Sequence, residues 1–269
     1  MQTLASGIRY RHWPCADARA VVIVSHGLGE HCGRYQSLAE GFNGADFAVY
    51  ALDHLGHGES PGPRAHIDRF TDYLPPLREL RQEAAENYAD RPVFLLGHSM
   101  GGLIASRLLL EDQQQYRGAM LSGPALVAAD PPPAPVMMVG RLLSALLPRV
   151  GLLAIDPSGV SRDPAVVAAY KEDPLVHHGK VSARLAVELL DTMAVVQDRA
   201  SDITLPILAM HGGDDVLAAP AGSEAFLANV SSEDRALRIL PGLAHEIFNE
   251  PEGADVLAQY IAWAVARLD

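Results

Sequence analysis

A serine enclosed by glycines is the strongest chemical signal in this sequence. Residues 97–101 read Gly-His-Ser-Met-Gly, between an apolar run at 92–96 and an amphipathic stretch at 101–115. A serine on a sharp turn from a buried strand into a helix has strained backbone geometry and faces the positive end of the helix dipole. Glycines two residues before and after it avoid collisions with neighbouring backbone. We therefore predict Ser99 as a nucleophile for acyl transfer; the alternative is an ordinary glycine-rich turn.

A serine hydroxyl needs a neighbouring base, which in this arrangement follows the serine and an acid along the chain. Four histidines follow the serine: His177, His178, His211 and His245. His245 is preceded by an acid at a strand end and lies in a loop between the last predicted strand and the final helix. We predict it as the base, the alternative being a capping or surface histidine. His177 and His178 fall in a segment without strands, and His211 ends a strand.

The acid is expected just after the penultimate strand, where residues 211–215 read His-Gly-Gly-Asp-Asp. Such a turn commonly begins with glycine and a small polar residue, which favours Asp215 as the acid that orients His245. Asp214 is then a turn or helix-capping residue. Acyl transfer also needs donors for an oxyanion, and we assign that role to the backbone N–H groups of Leu28 and Met100.

The elements around these residues alternate between short apolar runs and longer amphipathic stretches, as in a parallel sheet covered by helices. The predicted strands are 21–25, 47–52, 93–96, 119–121, 207–211 and 236–240. The predicted helices are 35–42, 71–88, 101–115, 223–230 and 254–268, with the second beginning near Pro75-Pro76 because proline fits a first turn. The sequence thus predicts an α/β fold.

One segment interrupts this alternation. Four prolines fall within residues 128–135. An apolar stretch follows at 136–155, and from there to about residue 200 the sequence has a pattern typical of helices. We predict a helical cap at 125–200, inserted into a core formed by 1–124 and 201–269.

Composition excludes several classes of protein. The 269 residues carry a formal net charge of −12, which disfavours nucleic-acid binding. Cys15 and Cys32 are expected to be free thiols, and no apolar stretch reaches the roughly 18 residues of a membrane span. These features predict a cytoplasmic protein. We expect no metal site, since the glycines in 54–58 break any helix that could place His54 and His57 on one face. Nucleotide-binding motifs are absent, so no cofactor is expected.

At this point the sequence resembles the monoacylglycerol lipase group of α/β-hydrolases, which overlaps with enzymes called lysophospholipases. The motifs extend over nearly the whole chain. They are 26–31 with Arg34 and Tyr35, 53–60, 96–102, 161–163, Tyr170 with 173–175, and the two loops of the predicted triad.

This resemblance implies a serine hydrolase that cleaves a single acyl chain from glycerol, with an apolar tunnel under the cap and no cofactor. On matching positions, the glycerol pocket would use Glu30, Arg34, His98 and Tyr170. Glu30 and Arg34 have an alternative as a structural ion pair, and His98 and Tyr170 as packing residues. The apolar repeat of the cap has two interpretations, internal packing and transient contact with a membrane, so a peripheral location at membranes is also open.

Rival interpretations remain. Within the same fold, the chain could be a broad carboxylesterase, a lysophospholipase or a thioesterase. In a different class, it could be a non-catalytic lipid-binding protein on a hydrolase scaffold, although none of the three triad residues is missing. Acyl-chain preference and oligomeric state do not follow from the sequence.

Overall fold

The central element of this computed structural model is an eight-stranded sheet. The structure describes residues 1–154 and 156–268, so Ile155, the last residue of the predicted apolar stretch, lies outside the described residues. The strands are β1 (Gln2–Thr3), β2 (Arg9–Trp13), β3 (Ala20–Ser25), β4 (Phe47–Leu52), β5 (Val93–His98), β6 (Gly118–Ser122), β9 (Ile207–Gly212) and β10 (Arg235–Leu240). Their order is β1-β2-β4-β3-β5-β6-β9-β10, and all pairs from β4 to β10 are parallel.

The six predicted strands are all present, and the predicted α/β class is confirmed. β3, β4, β5 and β9 are fully buried along their length, which is why their sequences are continuously apolar. The antiparallel β1 and β2 were not predicted. β2 reads Arg-Tyr-Arg-His-Trp and is only partly buried, so it lacks the apolar signal of the central strands.

Helices cover both faces of the sheet. They are α1 (Gln36–Asn43), α2 (Leu74–Asn87), α3 (Met100–Asp112), α4 (Ala134–Leu146), α5 (Pro164–Glu172), α6 (Ala183–Asp198), α7 (Pro220–Asn229) and α8 (Gly253–Val265). α1 and α8 contribute to one buried apolar cluster, and α2, α3, α6 and α7 contribute to another. α2 starts at Leu74 with both prolines in its first turn, while the preceding predicted residues form a short 3₁₀ helix, Phe70–Tyr73.

The segment predicted as a helical cap contains α4, α5 and α6, but it is not entirely helical. β7 (Gly151–Leu153) and β8 (Val181–Ser182) form a separate antiparallel pair. α6 also buries Leu185, Leu189 and Val196 in the same cluster as α3. The end of the segment therefore shares the main core, so its apolar residues are continuous with those of the sheet.

Candidate active site

Ser99 lies on the turn between β5 and α3 in a conformation that non-glycine residues rarely adopt. Its φ is +53° and its ψ is −120°. The turn fits only because two neighbours lack side chains. A Cβ on Gly97 would lie 2.5 Å from the carbonyl oxygen of Gly101, and a Cβ on Gly101 would lie 1.9 Å from that of Ser25. Tight packing therefore holds the strained serine at the carboxyl edge of the sheet.

Asp215 and His245 meet at the same edge, on the loops after β9 and β10. Nδ1 of His245 lies 2.6 Å from Oδ2 of Asp215, and both side chains are buried. The other carboxylate oxygen accepts the backbone N–H groups of Leu217 and Ala218 at 2.8 and 3.0 Å. Because Nδ1 donates to Asp215, Nε2 of the imidazole is the nitrogen left to accept a proton.

The charges of this pair reinforce its geometry. Although burial alone would raise it, hydrogen bonds from His211 and His245 lower the pKa of Asp215 well below its usual range. Burial opposes protonation of His245, but its hydrogen bond to Asp215 and the charges of Asp215 and Glu246 raise the pKa of His245 above 6.5. The acid therefore stays ionised and stabilises an imidazolium.

The alternatives for the acid and the base occupy other places. Asp214 is exposed, and its backbone N–H donates to the carbonyl oxygen of Leu243 at 3.0 Å, as expected of a turn residue. The backbone N–H of His177 donates to Gly29 at 2.7 Å, and Nε2 of His178 lies 3.3 Å from the carbonyl oxygen of Asp173. His211 differs, because it contacts Asp215 directly, a contact that sequence reasoning missed.

The two predicted oxyanion donors lie beside Ser99. Leu28, Met100, Ser99 and His245 all line one cavity. Among the hydrogen bonds of the described residues, the backbone N–H groups of Leu28 and Met100 have no acceptor. Met100 is the first residue of α3, where a backbone N–H lacks an acceptor within the helix. Both groups are thus free to bind an anionic oxygen.

This main cavity has a volume of about 550 Å³ and a largely apolar wall. The predicted cap contributes much of that wall, including Val136, Met137, Leu153, Leu190 and Met193. Four acidic residues also line it, and among the lining residues that the structure describes there is no lysine or arginine. Those acids are Glu30, Asp130, Asp156 and Glu246. The cavity suits an apolar chain and disfavours an anion.

Glu30 and Arg34 form the ion pair that was the structural alternative for these residues. Nη1 of Arg34 donates to Glu30 at 2.8 Å, while the other oxygen of Glu30 accepts the backbone N–H of Gly27 and the hydroxyl of Tyr35 at 2.6 and 2.7 Å. Although burial favours the neutral carboxyl, Arg34 and His98 lower the pKa of Glu30 to about 2. Glu30 thus fixes the loop that carries Leu28.

Glu246 completes this cluster and was missed by the sequence analysis. Its two carboxylate oxygens accept from Nη1 and Nη2 of Arg34 at 2.6 and 2.8 Å. Two buried carboxylates therefore share one guanidinium, which leaves a net negative charge. The only sequence signal for this role of Glu246 was an acidic residue directly after His245. No local sequence pattern indicates that it contacts Arg34.

His98 and Tyr170 lie around the same cluster. Nδ1 of His98 is 3.0 Å from the carbonyl oxygen of Ser122, so it carries the proton and leaves Nε2 as an acceptor. Burial and the neighbouring His245 lower the pKa of His98 to about 4, which keeps it neutral at pH 7. Tyr170 is buried, with its ring centre 4.8 Å from the guanidinium carbon of Arg34. Both side chains line the main cavity.

The predicted cap forms hydrogen bonds directly to the loops near the predicted catalytic residues. The backbone N–H of Glu246 donates to Val160 at 2.8 Å, and that of Arg162 donates to Glu250 at 2.7 Å. Nε2 of His31 lies 2.9 Å from a carboxylate oxygen of Asp173. The flanks of α5 are thus connected to the loops after β3 and β10.

The histidine-rich loop after β4 is structural. Asp53 accepts the backbone N–H groups of Cys32 and Glu59, both at 2.8 Å, and Nδ1 of His57 bonds within the loop to Leu55. Over residues 1–154 and 156–268, no group of histidine, cysteine and acidic side chains is arranged to hold a metal ion.

A strained serine after β5, an aspartate after β9 and a histidine after β10, on a mostly parallel sheet, are the arrangement of an α/β-hydrolase. The chain belongs to the Hydrolase_4 family, whose model is described as serine aminopeptidase, S33, and matches residues 16–252.

Several monoacylglycerol lipases are similar to this chain in sequence or structure. The chain is 42% identical over 265 residues to the monoacylglycerol lipase of Mycolicibacterium smegmatis, in a match covering 97% of this chain and 95% of that protein. It is 35% identical to the monoglyceride lipase of Rattus norvegicus, covering 96% and 86% of the two chains. The crystal structure of Paleococcus ferrophilus monoacylglycerol lipase superposes with a TM-score of 0.89 at 32% identity, covering 97% and 99%. The predicted membership of the monoacylglycerol lipase group is confirmed.

Proposed function

We propose that this chain is a carboxylic ester hydrolase that cleaves monoacylglycerols to a fatty acid and glycerol. The observation that carries the proposal is the hydrogen bond between Asp215 and His245 beside Ser99, in an apolar cavity with a polar end. The similarity to monoacylglycerol lipases over nearly the whole chain supports it.

In the proposed mechanism, Oγ of Ser99 attacks the ester carbonyl while Nε2 of His245 takes its proton. The N–H groups of Leu28 and Met100 donate to the oxyanion. The imidazolium then protonates the leaving oxygen of glycerol, which departs and leaves an acyl-enzyme. Water, deprotonated by the same imidazole, attacks that ester and releases the fatty acid as Ser99 regains its proton. Asp215 stabilises the imidazolium in both steps.

We assign the polar end of the cavity to the glycerol headgroup. The neutral His98 offers Nε2 as an acceptor for a hydroxyl, and Tyr170 lies across the same space. The two Nη atoms of Arg34 already donate to Glu30 and Glu246, so its proposed role is to hold these carboxylates rather than to bind the substrate. Carboxylate oxygens accept hydrogen bonds from hydroxyl groups, so this end suits a diol.

Charge favours a neutral substrate over a lysophospholipid. Two carboxylates against one guanidinium repel a phosphate, and the described wall of the cavity offers no cation to bind one. This is our reason for placing monoacylglycerol ahead of a lysophospholipase function. The apolar wall leaves a broad carboxylesterase or a thioesterase as rivals within the same fold.

We propose that residues 125–200 form a cap over the acyl chain and that α4 contacts membranes transiently. Large apolar side chains on α4 are exposed, with Met138 at 69% and Leu146 at 70% of their maximal exposure. Such an apolar surface, on a helix whose Val136 and Met137 line a lipid-sized cavity, is typical of a helix that docks on a lipid interface. No helix within the described residues has the length and apolarity needed to cross a membrane.

A substrate panel tests this function. Monoacylglycerols should be cleaved faster than di- and triacylglycerols, lysophospholipids, acyl thioesters and short nitrophenyl esters, and Ser99→Ala should lose about 10⁴-fold or more of the turnover. A fluorophosphonate probe should label the wild type and not Ser99→Ala. Absence of labelling in folded wild-type protein would instead support a non-catalytic lipid-binding protein.

A further inference from the structure

A second imidazole contacts the acid of the proposed triad. His211, at the end of β9, is completely buried, and its Nε2 lies 3.0 Å from Oδ2 of Asp215. The same carboxylate oxygen accepts the N–H of His245 at 2.6 Å. Oδ2 therefore lies between two imidazoles, only one of which is used in the mechanism above.

The hydrogen bonds of His211 determine which of its nitrogens carries a proton. Nε2 lies between two acceptors, Oδ2 of Asp215 and the carbonyl oxygen of Ala218, at 3.0 and 3.1 Å, so it must be a donor. Nδ1 lies 2.8 Å from Oγ of Ser223, which has a proton to give. The ring therefore donates from Nε2 to Asp215, and Nδ1 is within hydrogen-bond distance of the Ser223 hydroxyl.

We infer that His211 is a positioning residue for ester hydrolysis, aligning Oδ2 of Asp215 with His245 and dispersing its negative charge. This inference rests on the proposed function. Backbone N–H groups fix Oδ1 through Leu217 and Ala218, but Oδ2 has only the two imidazoles as donors among its described hydrogen bonds. Without His211, only the two backbone N–H groups at Oδ1 and His245 itself oppose rotation of the carboxylate about its bond to Cβ.

The second effect concerns the basicity of His245. A carboxylate that accepts several hydrogen bonds interacts less strongly with any one of them, so removal of His211 should raise the pKa of His245 further. The charged or titratable groups that act on His245 are Asp215, Glu246 and Glu30, with the neutral ring of His98 at 4.9 Å between ring centres. All of them remain in a His211 variant, so a shift in the pH profile reports the change at Asp215.

The experiment compares His211→Leu with His211→Gln, because the amide of glutamine can donate to Asp215 and accept from Ser223. Fluorophosphonate titration gives the concentration of active sites, so a fraction of unfolded protein does not enter kcat. We expect His211→Leu to lose about tenfold or more in kcat with KM nearly unchanged, and to shift the acidic limb of the profile to higher pH. His211→Gln should recover most of both.

Three results would overturn the inference: an unshifted acidic limb with unchanged kcat per active site in His211→Leu, a leucine variant indistinguishable from the glutamine variant, or a changed KM with kcat unaltered.

Nitrogen NMR of the wild type provides a test that needs no variant. It should show a proton on Nε2 of His211, and a ring that carries its only proton on Nδ1 would contradict the assignment. Failure of the proposed function is distinguishable in the wild type, because it would appear as absence of labelling or as preference for another ester in the substrate panel.

Discussion

Glu246, the residue directly after His245, forms a bidentate ion pair with Arg34, in which both carboxylate oxygens accept from the guanidinium at 2.6 and 2.8 Å. The proposed base is therefore attached, through its neighbour in sequence, to the loop that supplies one of the proposed oxyanion donors. The same contact makes the headgroup end of the cavity net negative, because Glu30 already shares this guanidinium.

Removal of one of these charges should alter headgroup selectivity. In Glu246→Gln the cluster becomes neutral, so the ratio of kcat/KM for monoacylglycerol over lysophosphatidic acid should fall by about tenfold. Glu224→Gln is the matched control, with the same charge change at an exposed position on α7. Equal ratios in the two variants would show that the charge of residue 246 does not select the headgroup.

The pH dependence of hydrolysis follows from His245, which must be neutral to take the serine proton. Because its pKa is raised, kcat/KM should fall as the pH drops through a value above 6.5. Asp215→Asn removes the charge that raises this pKa, so its residual activity, expected to be about 10⁴-fold lower, should have an acidic limb at lower pH. A pH–rate profile of each protein measures its acidic limb. An acidic limb at the same pH in Asp215→Asn and wild type would argue against the pairing of Asp215 with His245.

The same pKa shifts predict opposite contributions to stability. The raised pKa of His245 stabilises the fold at low pH, and this contribution is lost as the pH rises through the folded-state value. The lowered pKa of Glu30, about 2 in the fold, stabilises above the ordinary carboxyl value near 4.5 and is lost as the pH falls towards 2. Thermal unfolding of Glu30→Gln against wild type between pH 3 and 7 should show the difference in Tm shrinking as the pH falls.

Membrane contact through α4 is tested by charge at exposed positions. Met138→Glu combined with Leu146→Glu should weaken vesicle binding by tenfold or more, at about 1.5–3 kcal/mol for each apolar side chain transferred to lipid. Hydrolysis of a soluble short-chain ester should be unaffected. Val265→Glu on α8, where the valine is 37% exposed, is the control. Equal flotation with vesicles for both proteins would rule out α4 as the lipid-binding surface.

The turn that carries Ser99 predicts a contrast between two glycines. Gly101→Ala places a Cβ 1.9 Å from the carbonyl oxygen of Ser25, so it should destabilise the fold by several kcal/mol and abolish fluorophosphonate labelling. Gly140→Ala lies inside α4 with no atom within 4 Å of the added Cβ, and should stabilise by about 0.5–1 kcal/mol. Denaturant unfolding of the two variants provides the comparison, and equal losses would refute the steric argument.

Local patterns were sufficient for the central strands and for the placement of Ser99, Asp215 and His245 at one edge of the sheet. Each of these features depends on residues adjacent in sequence: an apolar run, a glycine pair, an acid after a strand. The structure brings the three residues together, and their roles remain predictions.

Long-range contacts account for what sequence reasoning missed. The ion pair between Glu246 and Arg34 joins positions 212 residues apart. In the sequence His211 is recognisable only as the end of a strand, and its contact with Asp215 is seen only in the folded structure. β7 and β8 have three and two residues, too few for a periodic signal. The apolar residues of α6 were assigned to a separate cap because their pattern does not reveal which core they join.

The attachment of the α5 flanks to the loops around Ser99 divides the inserted segment into parts that can change separately. Substitutions in 160–173 disturb bonds to the loops of Glu246, Glu250 and His31, and so endanger turnover itself. α4 instead supplies wall to the lipid cavity and an outer apolar surface. Redesign of acyl-length preference should therefore begin with α4, which could be exchanged among homologous enzymes while the bonded flanks of α5 are kept intact.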